Sequence, residues 1–164
     1  MDKITVMGGK AIISGHSFTV ALGRAGLTAD KREGDLKTPT GDYPLRQLYY
    51  RADRLEKPQT ALPAIALSPD DGWCDDPADP HYNQLVKLPC AARHETLWRE
   101  DGLYDLILVI GYNDAPVVPG KGSAIFMHIR RPDGLGTEGC VALEKADLLE
   151  LLKLAGPETR IEIR

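Results

Sequence analysis

No apolar run in this chain approaches the roughly 20 residues that a membrane-spanning helix needs; the longest, such as 106–110, fall far short. Cysteine is scarce. Cys74, Cys90 and Cys140 are the three in the chain, too few and too scattered for a disulfide framework, and an odd count leaves at least one thiol free. Positive charge is not in surplus either: the net charge is −4 and the pI near 5.6, so neither nucleic acid nor a membrane surface is an expected partner. The basic pairs Lys31-Arg32 and Arg130-Arg131 are local. Internal repeats, low-complexity tracts and linkers are missing, and 164 residues suit one domain, 1–164. The first nine residues lack the basic segment and long apolar stretch of a secretory leader. The expectation is a cytoplasmic protein, or a periplasmic one if a leader was removed.

Short apolar runs broken by Gly, Pro and Asp dominate the first two thirds. Residues 4–7, 11–13, 18–22 and 43–50 read as strands, with Gly8-Gly9 as a tight turn between the first two. Residues 105–112 form a continuous β-leaning run of the kind buried on both faces, and 123–130 form another. From about 58 to 94 the chain is rich in Pro and Asp and reads as a long excursion over the sheet. A small helix is expected near 91–99. The convincing helix is 145–155, with Leu148, Leu149, Leu151 and Leu152 on one broad face and Gly156-Pro157 as its stop. Residues 160–163 alternate as a closing strand.

Cys140 lies in Gly136-Thr137-Glu138-Gly139-Cys140-Val141, a glycine-flanked turn just ahead of that helix. Glycine allows close backbone approach, and amides at a helix start favour both a thiolate and a developing oxyanion. Upstream, strand alternation puts Ala124, Phe126 and His128 on one face, from which the imidazole can meet the turn. A thiol to attack and a base that later protonates the leaving amine are what nucleophilic acyl transfer requires. Taken alone the pair is weak evidence, because a free cysteine is commonly a small core residue and a lone histidine a structural one.

A wider pattern adds to it. Eleven residues separate His128 from Cys140, and Thr137-x-Gly139-Cys140 with Val141 behind it resembles the signature of the L,D-transpeptidase (YkuD-type) family. The stretch from Lys31 through Gly34 to Thr38-Pro39-Thr40-Gly41, leading into Tyr43, is similar to that family's Lys-x-Gly-x-x-x-Thr-Pro-x-Gly segment. The resemblance spans roughly residues 18 to 164. It implies a mostly β (α+β) fold, a β-sandwich with one or two short helices, the clearest following Cys140. It implies that Cys140, with His128 as base, attacks the carbonyl between a diamino acid and the terminal D-alanine of a peptidoglycan stem, leaving a thioester. The amides of Gly139 and Cys140 would form the oxyanion hole, Thr137 would hydrogen-bond within the site, Arg130 and Arg131 would hold a substrate carboxylate, and Tyr112 and Asn113 would line the pocket. No cofactor is implied. The expected partners are stem peptides or muropeptides, with carbapenem-type β-lactams as acylating inhibitors. For a leaderless chain, hydrolysis of tetrapeptides to tripeptides in muropeptide recycling is the expected outcome, and wall cross-linking the alternative. The chain departs from the pattern at Glu138, where His is commonest, at Ala142, where Arg or Asn is frequent, and in its shorter spacer.

Other classes remain open at this point. Cys74, His81, Cys90 and His94 carry zinc-compatible side chains, though their spacing is wide and Asp75, Asp76 and Asp79 suit a solvated loop; a Cys74–Cys90 disulfide is a further possibility. A non-catalytic wall-binding domain would need no thiol beside a histidine. Gly23 to Gly26 lacks the Gly-Lys-Ser/Thr ending of a phosphate loop and reads as a plain loop.

Overall fold

A computed structural model describes residues 3–164. The chain opens with β1 (Lys3–Met7), β2 (Lys10–Ile13) and β3 (His16–Ala21), an antiparallel meander. Its first turn is Gly8-Gly9, with φ of 58° and 74°, the left-handed backbone that a two-residue hairpin demands and glycine supplies. A short parallel pair follows, β4 (Leu27–Thr28) and β5 (Thr38–Pro39), and then the long β6 (Gly41–Tyr50) with β7 (Ala64–Ala66) beside its end. Next come β8 (Asp71–Cys74), β9 (Leu85–Lys87) and β10 (His94–Thr96), a separate three-stranded antiparallel sheet. β11 (Leu106–Ile110), β12 (Phe126–Ile129), β13 (Val141–Leu143), α1 (Lys145–Leu154) and β14 (Arg160–Ile163) complete the chain.

The main strands run β11-β12-β13-β3-β2-β1-β14-β6, and β6 pairs back with β11. The sandwich therefore closes on itself, with β3 and β6 passing from one layer to the other. β3 pairs with β2 through His16–Thr19 and with β13 through Val20 and Ala21. β6 pairs with β14 through residues 41–44 and with β11 through residues 45–50. Closure leaves few open edges. The fold is mostly β with one short helix, as the family resemblance implies.

Between the layers lies an aliphatic core: Ile4 and Val6, Leu106 and Leu108, Met127, Val141 and Leu143, Ile161 and Ile163. α1 seals it with Leu148, Leu151 and Leu152, and the chain turns extended at Ala155. β11 is buried on both faces as its sequence suggests. Leu106, Leu108 and Ile110 face this core, while Ile107 and Val109 face a second cluster outside the layer. Each such side chain contributes roughly 1.5–3 kcal/mol on burial.

Two expectations need correction. Residues 91–99 hold no helix: His94–Thr96 pair with Gly72–Cys74 as β10, because cross-strand pairing outweighs a local helical tendency. The excursion from 58 to 94 is likewise partly regular, since β7, β8 and β9 fall within it.

Candidate active site

The second cluster decides where chemistry is possible. β12 sends Met127 inward and Phe126 and His128 outward. β13 runs parallel to β12 with Met127 opposite Val141 and His128 opposite Ala142. In parallel register, paired residues share a face, so Cys140, one step before Val141, emerges on the same side as Phe126 and His128. The β8–β10 sheet covers that side with Trp73, whose ring meets Phe126 edge-on at 5.1 Å. What remains open is a cleft of about 320 Å³ lined by Cys140, His128, Thr137, Tyr104, Glu95 and Arg99, among others.

Cys140 is 7% exposed. Its Sγ donates to Ala124 O at 3.2 Å and accepts from the Phe126 amide at 3.4 Å. Thr137 locks the turn: its hydroxyl donates to Cys140 O at 2.8 Å and accepts from the Gly139 amide at 3.1 Å. Gly139 has φ of 140°, and a methyl there would stand 3.0 Å from Lys37 O, so only glycine fits without strain. The turn is anchored from behind by mutual backbone bonds between Leu22–Arg24 and Thr137.

The expected thiolate bias from a helix start is overturned. β13 separates Cys140 from α1, and burial pushes the thiol up to about 12. His128 is also desolvated, which lowers it to about 4 and keeps the ring neutral. Its Nδ1 sits 2.8 Å from Ile129 O; the proton therefore belongs on Nδ1, and Nε2 is the basic nitrogen. The resting pair is a neutral thiol and a neutral imidazole.

A model of the L,D-transpeptidase catalytic domain (YkuD) matches residues 4–163, essentially the whole chain. The chain belongs to this family. The match takes in β1 and β2 as well, ahead of residue 18 where the motif resemblance starts. No curated protein and no solved structure matches the chain. Membership implies acyl transfer on peptidoglycan stem peptides by a cysteine enzyme.

Against that family background the other sequence-expected residues divide. Arg131 reaches the cleft, but its guanidinium is paired with Asp133 at 2.7 Å. Arg130 lies outside the cleft lining, 3.8 Å from Glu144. Tyr112 and Asn113 do not line it either. The Tyr112 ring packs edge-on to Tyr43 at 5.3 Å, and Asn113 binds Val118 O and Gly122 O to shape its own loop. After β11 the chain turns, with Asn113 at φ of 53°, and Tyr112 packs against the inner core rather than on the face that holds Cys140.

The Cys–His–zinc alternative finds no support in geometry. Cys74 and His94 are register partners, but His94 Nδ1 meets Ala92 O and His81 Nδ1 meets Asp79. Among the described residues no group of three or more ligands could hold a metal. All three cysteines are free thiols. The amides at 23–26 are spent within the fold, Gly23 on Thr38 Oγ1 and Ala25 on Leu36 O, so no phosphate cradle exists there.

Sequence reasoning missed several residues. Asn83 Oδ1 accepts from both Trp73 Nε1 and the Ala124 amide, each at 3.0 Å, and its Nδ2 reaches Tyr112 O and Asn113 O. It thereby fixes Ala124, whose carbonyl receives the Cys140 thiol. Glu95 accepts a short hydrogen bond from the Tyr104 hydroxyl, and burial raises its carboxyl to about 7. Tyr104 in turn packs edge-on to His128 at 5.2 Å. No sequence signal separates a loop Asn or a strand Glu of this kind from solvated ones. Lys31 is different: it heads a quoted motif, yet its burial (5% exposed) is invisible from composition.

Proposed function

We propose that Cys140 and His128 are nucleophile and base of an L,D-carboxypeptidase that trims tetrapeptide stems to tripeptides. One observation carries the reading: the Cys140 sulfur and an imidazole whose Nδ1–H is spent on Ile129 O line the same cleft. Nε2 takes the thiol proton as the sulfur attacks the carbonyl linking the diamino acid to D-alanine. The C–S bond forms as the carbonyl π pair moves onto oxygen. The imidazolium then protonates the leaving D-alanine amine, and a thioester remains on Cys140. Of the two amides expected at the oxyanion, Gly139 is committed to Thr137 Oγ1, so the Cys140 amide is the candidate donor. Water, activated by the neutral His128, releases the tripeptide. The same sulfur would accept the strained carbonyl of a carbapenem-type β-lactam.

Hydrolysis is favoured because transfer needs a donor thioester and an amine acceptor held together. The cleft, at about 320 Å³, is at the small end for ligand sites, and dissolved stems are dilute beside water. Three free thiols suit a reducing compartment, and we place this trimming in the cytoplasm, in muropeptide recycling. The test is incubation with purified tetrapeptide muropeptides and product weighing by mass spectrometry. Loss of one D-alanine per stem is expected. Joined stems exceeding trimmed ones would overturn hydrolysis in favour of cross-linking.

A further inference from the structure

Lys31 has only 3% of its side chain in solvent, and its Nζ lies 2.5 Å from Asp35 Oδ1. Asp35 is itself held by the amides of Lys37 and Arg32, each at 2.9 Å. The lysine stem runs against Gly122, where a methyl would come within 2.9 Å of Lys31 Cγ. Its ammonium ends under the loop that carries the nucleophile: a methyl on Gly139 would stand 3.1 Å from Nζ. An ammonium taken out of water is costly even when paired, and apolar side chains of similar volume commonly hold a loop as well or better. A buried ion pair one residue from a buried thiol therefore calls for an explanation beyond stapling.

The charges around Cys140 supply one. The carboxylates of Glu95 and Glu138 oppose ionisation of the sulfur, whereas Lys31 favours it. His128, the other titratable neighbour, is neutral at rest, and Tyr104 keeps its proton. The remaining cleft cations are turned to other carboxylates: Arg99 to Asp101, Arg131 to Asp133 and Arg24 toward Glu138.

We propose that the Lys31–Asp35 pair sets the electrostatics of Cys140: the Lys31 ammonium, acting through the Gly139–Cys140 backbone it underlies, stabilises negative charge on the sulfur, and Asp35 holds and tempers that ammonium. When Sγ gives its proton to His128 Nε2, the sulfur becomes anionic and the imidazole cationic. Lys31 is then the buried cation behind the anion, and Asp35 limits how far the thiol is activated in the resting enzyme. Both are positioning residues. The inference rests on the reading of Cys140 as nucleophile only for its consequence in turnover.

The test reads the thiol directly. The full-length protein is alkylated with iodoacetamide from neutral to alkaline pH, and modification is counted on the Cys140 peptide by mass spectrometry. Lys31→Gln is expected to slow alkylation on the order of tenfold at a given pH, the equivalent of about one pKa unit. Asp35→Asn, which keeps the ammonium and removes its counter-charge, is expected to speed it several-fold. A pair that merely staples the loop would move both variants in the same direction, or neither, and that result overturns the proposal. If Lys31→Gln fails to fold because it strands the Asp35 carboxylate, the double variant Lys31→Gln/Asp35→Asn removes both charges, and it must still be slower than Asp35→Asn alone. Failure of the wild type to cleave any stem peptide would sink the functional reading and leave this comparison standing.

Discussion

β11 and β12 separate two clusters of buried side chains that differ in kind. The inner one, between the sandwich layers, is built from aliphatic side chains with Met127 and Phe18. The outer one, under the β8–β10 sheet, mixes Leu67, Leu97 and Ile107 with Trp73, Tyr104, Phe126 and Cys140, and it borders His128, Glu95 and Asn83. The same strands serve both, alternating residue by residue. The inner face specifies the fold by packing. The outer face uses equal burial to push titratable groups further toward their neutral forms: a thiol raised to about 12, an imidazole lowered to about 4 and a carboxyl raised to about 7.

The comparison breaks most sharply at Cys140. Cys140→Ala is expected to abolish stem-peptide cleavage while leaving the melting temperature close to wild type, whereas Cys74→Ser and Cys90→Ser retain most activity. His128→Ala should cost on the order of 10²-fold or more in rate. Because the neutral ring is the working form, ionisation of His128 should put no inflection near 6.5 into wild-type turnover and should cut it only as pH drops through about 4. A pH–rate profile checks this.

On the inner face, Leu151→Ala should cost about 2–5 kcal/mol of stability through the cavity it leaves, without altering the pH profile of whatever folded enzyme remains. Denaturant melts and kinetics together check it. The smallest effect is a slope. His128, lowered from 6.5, contributes stability that is present above 6.5 and lost as pH falls through about 4. Glu95, raised from 4.5, contributes stability present below 4.5 and lost as pH rises through about 7. Over the shared window the two oppose each other. Glu95→Gln removes the second, so the variant's stability should rise with pH from about 4 to 6.5 more steeply than the wild type's, as read from melts at several pH values.

The inner face was largely legible in sequence. Alternation in 4–7 and 160–163, the continuous run at 106–110 and the leucines of α1 follow from period and composition alone. The motif residues around Cys140 and His128 were legible as well, and β12 alternation anticipated that Phe126 and His128 share a side. What sequence could not convey was which buried polar residue meets which. Asn83 reaches Ala124 across forty-one positions, and Glu95 meets Tyr104 only because residues 94–96 pair as a strand rather than coil as a helix. Tyr112 and Asn113 were misplaced for a related reason: the end of a strand fixes a residue's position along the chain, not the direction its loop takes.

The most direct test is to catch the acyl-enzyme. Protein mixed with a tetrapeptide stem is quenched in acid during turnover, weighed intact and digested to locate the adduct. The predicted result is a mass increase equal to the tetrapeptide less D-alanine, carried by the Cys140 peptide. Steady cleavage with the adduct on another residue, or undiminished cleavage by Cys140→Ala, would contradict it.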